Sequence, residues 1–173
     1  DDIETELGVI AIVAGDGALN VLEFVDNRNR FERNVSKLGP RTITARKDPY
    51  TFTSRILDYF DGELLAIQGI PVNPVGTAFQ RKVWIHLRAI ALGATTSYGA
   101  LERRIERPNA VRAVAQANAH NPIGIVVPCH RVIGVNGALT GYAGGIERKR
   151  WLLEHEGHKV RRHPRLGWMA SQT

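Results

Sequence analysis

Apolar residues alternate with small or polar ones through ELGVIAIVAGDGALNVLEF, and the alternation breaks once, at Gly15-Asp16-Gly17. This predicts two strands joined by a tight turn over residues 7–25, because glycine and aspartate tolerate the positive φ angles that hairpin turns require. Between Asp26 and Asp48 the chain is polar and irregular, with Phe31, Val35 and Leu38 spaced for one short amphipathic helix. In DPYTFTSRILDYFDGE the apolar stripe is Ile56, Leu57 and Phe60, which predicts a helix beginning near Asp48 and ending at Gly62.

GIPVNPVGT carries two prolines and two glycines without helical period, so it reads as a linker over 69–77 with a domain boundary near 75. In AFQRKVWIHLRAIALG, Phe79, Val83, Trp84, Leu87 and Ile90 share one helical face, and Gly93 is the expected stop. Thr96 or Ser97 can then cap a short helix whose inner face is Ala100, Leu101 and Ile105. After a turn at Glu106–Pro108, Asn109 can cap a second helix reaching Ala119. Two short helices joined tightly form a helix-turn-helix, although helical hairpins also occur in proteins that never meet DNA. The second helix carries alanine at 110, 113, 115, 117 and 119 beside Arg112. Such a surface suits close helix packing or a narrow minor groove better than base reading in the major groove.

The 173 residues allow one domain or two small ones, and the pattern above predicts an α+β fold. It comprises a small N-terminal sheet domain with helix (1–75), a mostly helical C-terminal domain (76–158) and a basic tail (159–173). The formal charge of +6 is concentrated in LERRIERPNAVR, IERKR and HKVRRHPRLG, which suggests a polyanionic partner, while plain solubility also accounts for many basic chains. Apolar runs such as IGIVVP are too short to cross a bilayer, and DDIETELG lacks the features of a signal peptide. The expectation is a protein of the cytoplasm or nucleoid without a membrane partner. Met169 is the sole methionine, so an initiator or longer leader is expected to precede Asp1.

Ile125–Val127 reads as a short buried strand that ends at Pro128 and delivers Cys129, the single cysteine. One cysteine excludes an internal disulfide and any multi-cysteine zinc site, and it suits a reducing compartment. The thiolate is the competent nucleophile, and His130 or a helix N-terminus can favour it. A small buried hydrophobe is an equally open reading of Cys129.

PCHRV at 128–132, preceded by NAVRAVAQANAHNPIGIVV and followed by GYAGG and WLLEHEG, closely resembles the O6-alkylguanine-DNA alkyltransferases, or methylated-DNA–protein-cysteine methyltransferases. The resemblance runs from about Gly76 to Gly157, with residues 1–75 agreeing in outline. It implies that Cys129 attacks the alkyl carbon on guanine O6 and keeps the group as a thioether, so each molecule acts once. By the same resemblance His130 relays the thiol proton through water, Glu156 holds His130, and Asn121 braces the cysteine turn. Arg112 corresponds to the finger that enters the minor groove and replaces the everted nucleotide. Ala110, Ala113 and Ala117 correspond to the DNA-facing helix surface. Tyr98 corresponds to the tyrosine that bonds guanine N3 and crowds the 3′ phosphate, and Tyr142 to the aromatic wall of the alkyl pocket. The carbonyls of Cys129 and Val132 would accept from the exocyclic amine. The backbone N–H at Ala143 would donate to O6, and Gly144 would leave room for larger alkyl groups.

No cofactor is expected, because the nucleophile and proton relay are protein groups, and no metal, because the N-terminal cysteines through which some relatives bind zinc are absent here. The resemblance implies double-stranded DNA containing O6-alkylguanine as partner, bound by a monomer that can act cooperatively on DNA. Where many relatives have glycine, this chain has Glu106, so either the turn avoids positive φ or Glu106 is strained there. Two rival readings stand beside this one. A lesion binder that does not repair lacks the motif cysteine in such relatives. A cysteine hydrolase built on Cys129, His130 and Glu156 leaves Arg112 and the alanine-rich helix without a role.

Overall fold

The computed structural model describes residues 1–170. Contacts divide the chain into two compact units, one of residues 1–75 with 122–126 and one of 76–121 with 127 onward.

The first unit is built on an antiparallel sheet of β1 (Asp2–Ile3), β2 (Ile10–Gly15) and β3 (Ala18–Phe24), in that order. The hairpin turn falls at Asp16 and Gly17, with φ of 53° and 72°, as the strand twist demands. The far edge of β3 is covered by two extended stretches. Leu19 bonds Pro71 and Asn73, and Leu22 bonds Pro122 and Gly124. The stretch at 69–77 is thus in part an added strand position at Val72. Here β3 is buried along almost its whole length, so strict in-out alternation gives way to two covered faces.

Helix α1 (Arg28–Ser36) forms where expected, but the residues it buries are Arg30 and Asn34, while Phe31, Val35 and Leu38 are half-buried. The cause is Glu23 on β3, a buried carboxylate that draws the polar side of the helix inward. Helix α2 (Phe52–Phe60) buries Phe52, Ile56 and Tyr59 at i, i+4 and i+7, and Leu57 and Phe60 lie outside that stripe.

In the second unit, α3 (Ala78–Arg88) opens on a reciprocal cap between Thr77 and Gln80 and buries Val83, Trp84 and Leu87. It ends before the expected stop, and a turn from Ile90 leads to Gly93. Trp84 lies over Gly76, where an added Cβ would stand 2.5 Å from the ring, and its Nε1 donates to the Ala117 carbonyl at 2.8 Å. Helices α4 (Tyr98–Arg104) and α5 (Val111–Ala119) are joined by a short turn. Their contact buries Leu101, Ile105 and Val114, each worth about 1.5–3 kcal/mol relative to exposure. Ser97 caps α4. Asn109 does not cap α5: Ala110 holds that position and its N–H donates to Glu102 at 2.7 Å. Asn109 and Glu106 both have positive φ, 61° and 54°, so the turn takes its strained form at Glu106.

A parallel pair, β4 (Thr96–Ser97) with β5 (Val132–Ile133), places the start of α4 beside the residues that follow Cys129. Helix α6 (Ile146–His155) follows, and the basic segment continues as a hairpin of β6 (Val160–His163) and β7 (Gly167–Ala170). The last three tail residues, 171–173, lie outside the described part. No helix of the described residues is long and apolar enough to cross a membrane.

Candidate active site

The run before Cys129 is buried but is not a strand. Val126 N–H bonds the Gly124 carbonyl, and Cys129 N–H bonds the Val127 carbonyl, so both are three-residue reversals. Ile125, central to the first, has φ of +67°, an outlier for a β-branched residue and a form of strain found at functional sites. Pro128, central to the second, has φ −80° and ψ 64°, which its ring favours. An apolar run bounded by proline gives no periodic sign of such turns, so burial was legible and conformation was not.

Cys129 emerges from this turn 5% exposed. Asn121 Nδ2 donates to the Val127 carbonyl at 2.8 Å and to Cys129 Sγ at 3.2 Å. One carboxamide therefore braces the turn and favours a negative sulfur. Asn118 Nδ2 lies 3.5 Å from the Cys129 carbonyl.

His130 and Glu156 are both buried, with Nε2 and Oε1 3.0 Å apart. Arg131 completes the cluster. Its Nε donates to Glu156 Oε2 and its Nη2 to Oε1, each at 2.8 Å, and Nη1 donates to the Ile90 carbonyl at 2.7 Å. Burial opposes the charge on Glu156, yet the cationic side of the cluster and these bonds hold the carboxyl well below the ordinary range. Burial likewise pushes His130 below its usual value. Nε2 of the imidazole is turned to the carboxylate. Its Nδ1 is buried without a hydrogen-bond partner among the described residues.

Lys149 is fully buried, a rare place for lysine. Its Nζ donates to the carbonyls of Val132 at 2.6 Å and Thr140 at 2.7 Å. Burial lowers its pKa to about 8, and the negative charge of Cys129 opposes that shift. The Val132 carbonyl expected to face substrate is thus engaged by Lys149.

Beside α5 lies a cavity of about 470 Å³ lined by Tyr98, Ala115, Asn118, Ala119, Thr140, Gly141, Tyr142 and Ala143. Tyr98 is bonded to Thr140, and burial raises its phenol pKa. Of the residues expected to line a pocket, Tyr98, Tyr142 and Ala143 meet here. Gly144 is next in the chain after these lining residues, and its carbonyl accepts from Arg148 at 3.2 Å. Ala115 and Ala119 are the small residues of α5 that open the space. On the same helix Arg112 and Ala113 are exposed and Ala110 is half-buried. Ala117, expected on the DNA-facing side, is only 3% exposed; its place is under Trp84. Lys149, Asn118, Thr140 and the bonding of Arg131 to Glu156 were not anticipated. The sole sequence sign was the charge at Arg131, since a helical lysine and a loop threonine ordinarily read as solvated.

A thiol on a braced reversal, beside a carboxylate–imidazole pair and a cavity roofed by a small-residue helix, defines a protein with a nucleophilic cysteine. Residues 78–158 match the family model described as "6-O-methylguanine DNA methyltransferase, DNA binding domain". A methylated-DNA–protein-cysteine methyltransferase of Salmonella typhimurium is 44% identical, covering 91% of this chain and 95% of its own length. One from Mycobacterium bovis is 51% identical, with 89% of each chain covered. The crystal structure of Mycobacterium tuberculosis OGT in complex with DNA is similar at TM-score 0.77 and 38% identity, covering 90% of each chain. The chain belongs to the methylated-DNA–protein-cysteine methyltransferase family.

Proposed function

We propose that this protein reverses O6-alkylguanine damage directly, turning the lesion out of duplex DNA through the minor groove and moving its alkyl group irreversibly to Cys129. The observation that carries this reading is the Cys129 turn, whose sulfur accepts from Asn121 next to the His130–Glu156–Arg131 cluster. His130 Nδ1 is available to take the thiol proton, with a water as carrier. The Sγ–C bond forms as the C–O6 bond breaks, and the electron pair stays on guanine. One proton restores the neutral base, matching the one the thiol gave up. The N–H at Ala143 is suited to hold O6, and Tyr98 and Tyr142 to enclose the base in the cavity beside α5. Exposed Arg112 is suited to fill the vacated position in the stack. Arg103, Arg104 and Arg107, also exposed, suit phosphate contact, which makes binding weaken with salt. All reacting groups are side chains or backbone, so the chemistry runs without a cofactor.

Mass spectrometry after exposure to duplex DNA containing O6-methylguanine tests the proposal. The expected result is one added methyl on the Cys129 peptide and none in Cys129→Ser. An unmarked Cys129, or repeated turnover by one molecule, overturns it.

A further inference from the structure

Trp168, beyond the residues that match the family model, grips both ends of the segment that lines the cavity. At the near end β7 pairs with residues 137–139. Leu139 N–H donates to the Trp168 carbonyl at 2.8 Å, and Ala170 N–H to the Gly137 carbonyl at 2.9 Å. The approach is close, since a Cβ on Gly137 would stand 2.7 Å from the Ala170 oxygen. At the far end the Trp168 indole Nε1 donates to Glu147 Oε1, on the first turn of α6, at 2.9 Å. Arg150 covers the ring at 4.8 Å from its centroid and pairs with Glu147 at 3.1 Å. The ring also packs against the buried group of Ile133, Leu139, Leu153 and Ala170.

Between these ends run Thr140, Gly141, Tyr142, Ala143, Gly144 and Gly145. Three glycines give this stretch little stiffness of its own, so its shape depends on how its ends are held. Lys149 and Arg148 fix the Thr140 and Gly144 carbonyls from α6. Trp168 adds a restraint of another kind, because its backbone and its side chain act on opposite ends of the same segment.

We infer that Trp168 is a positioning residue that sets how firmly Thr140–Ala143 closes on the reacting alkyl group, and thereby how the protein discriminates small from bulky alkyl groups. The inference rests on the proposed reading of this segment as the alkyl-pocket wall. A firm wall holds a methyl carbon in line with Sγ; a loosened one loses that alignment while giving a large group more room.

Trp168→Phe keeps an aromatic ring and removes the donor. Glu147→Ala removes the acceptor at an exposed position and serves if the first variant folds poorly. Amide hydrogen exchange over 140–145 is followed alongside single-turnover transfer from O6-methylguanine and O6-benzylguanine in the same duplex. Exchange is expected to quicken about tenfold, as for loss of one hydrogen bond to a charged group. Methyl transfer is expected to slow about tenfold and benzyl transfer by less. The urea unfolding midpoint should stay close to that of the parent chain, which a general loss of folding would not permit. Unchanged exchange in both variants overturns the grip itself. Quicker exchange with an unaltered methyl-to-benzyl ratio overturns the role in discrimination. Failure of the underlying functional reading shows separately, as absence of transfer by the unsubstituted chain.

Discussion

Two glutamates, one in each unit, are buried against an arginine and a third polar group, yet their pKa values are shifted in opposite directions. Glu23 on β3 receives Arg30 Nε at 2.6 Å and Asn34 Nδ2 at 2.9 Å, both on Oε1. Burial prevails over these partners and raises its pKa. Glu156 is bonded on both oxygens, by the Arg131 fork and by His130. Its partners prevail over burial and lower its pKa. Similar ingredients thus make a packing anchor in one place and, in the other, a fixed negative charge that orients an imidazole. The lesson is that the geometry of the bonds, more than the fact of burial, decides whether a carboxylate can serve chemistry.

The largest expected contrast is in rate. Glu156→Gln should slow single-turnover methyl transfer by about 10²–10⁴, the usual worth of a general base and its support, and Glu23→Gln should leave it within about twofold. Equal losses would erase the distinction. Next comes stability. Arg131→Met strands an ionised carboxylate and should cost about 3–5 kcal/mol in urea unfolding. Arg30→Met should cost less, about 1–3 kcal/mol, because Glu23 can take up a proton.

The smallest contrast is in pH dependence, and its signs are opposite. The contribution of Glu156, whose folded pKa is lowered, is complete above its ordinary value of 4.5 and disappears as pH falls through the folded value. That of Glu23, whose folded pKa is raised, is complete below 4.5 and disappears as pH rises through its folded value. Unfolding midpoints of each Glu→Gln variant should therefore approach that of the parent chain on acidification from opposite sides, from below for Glu156 and from above for Glu23. His130, lowered by burial, adds to the acid-side loss beneath its ordinary 6.5.

The β2–β3 hairpin was legible because its alternation and its Gly-Asp-Gly turn agree, and α3 because its apolar face runs through Val83, Trp84 and Leu87. The buried face of α1 was hidden, since what turns it inward is Glu23 on another element. In the site, Cys129, His130 and Asn121 stand close in sequence and were found through the PCHRV resemblance. The role of Arg131 was missed because its carboxylate, Glu156, lies 25 residues further along the chain, at the C-terminal end of α6. Lys149 was missed because a lysine in a charged helix reads as solvated, and it is burial against two carbonyls that makes it otherwise. The backbone at Ile125 follows from tertiary packing that no local preference announces.

The paired three-residue reversals before Cys129 also fix chain length there. Ile123, Ile125, Val126 and Val127 are all inside, and each reversal leaves no slack, so an extra residue would have nowhere to go. The turn a few residues later behaves differently: its tip, Val135, is 82% exposed. For anyone grafting a label or a fusion partner near the sulfur, the paired reversals are closed ground and the turn at Val135 is an open door.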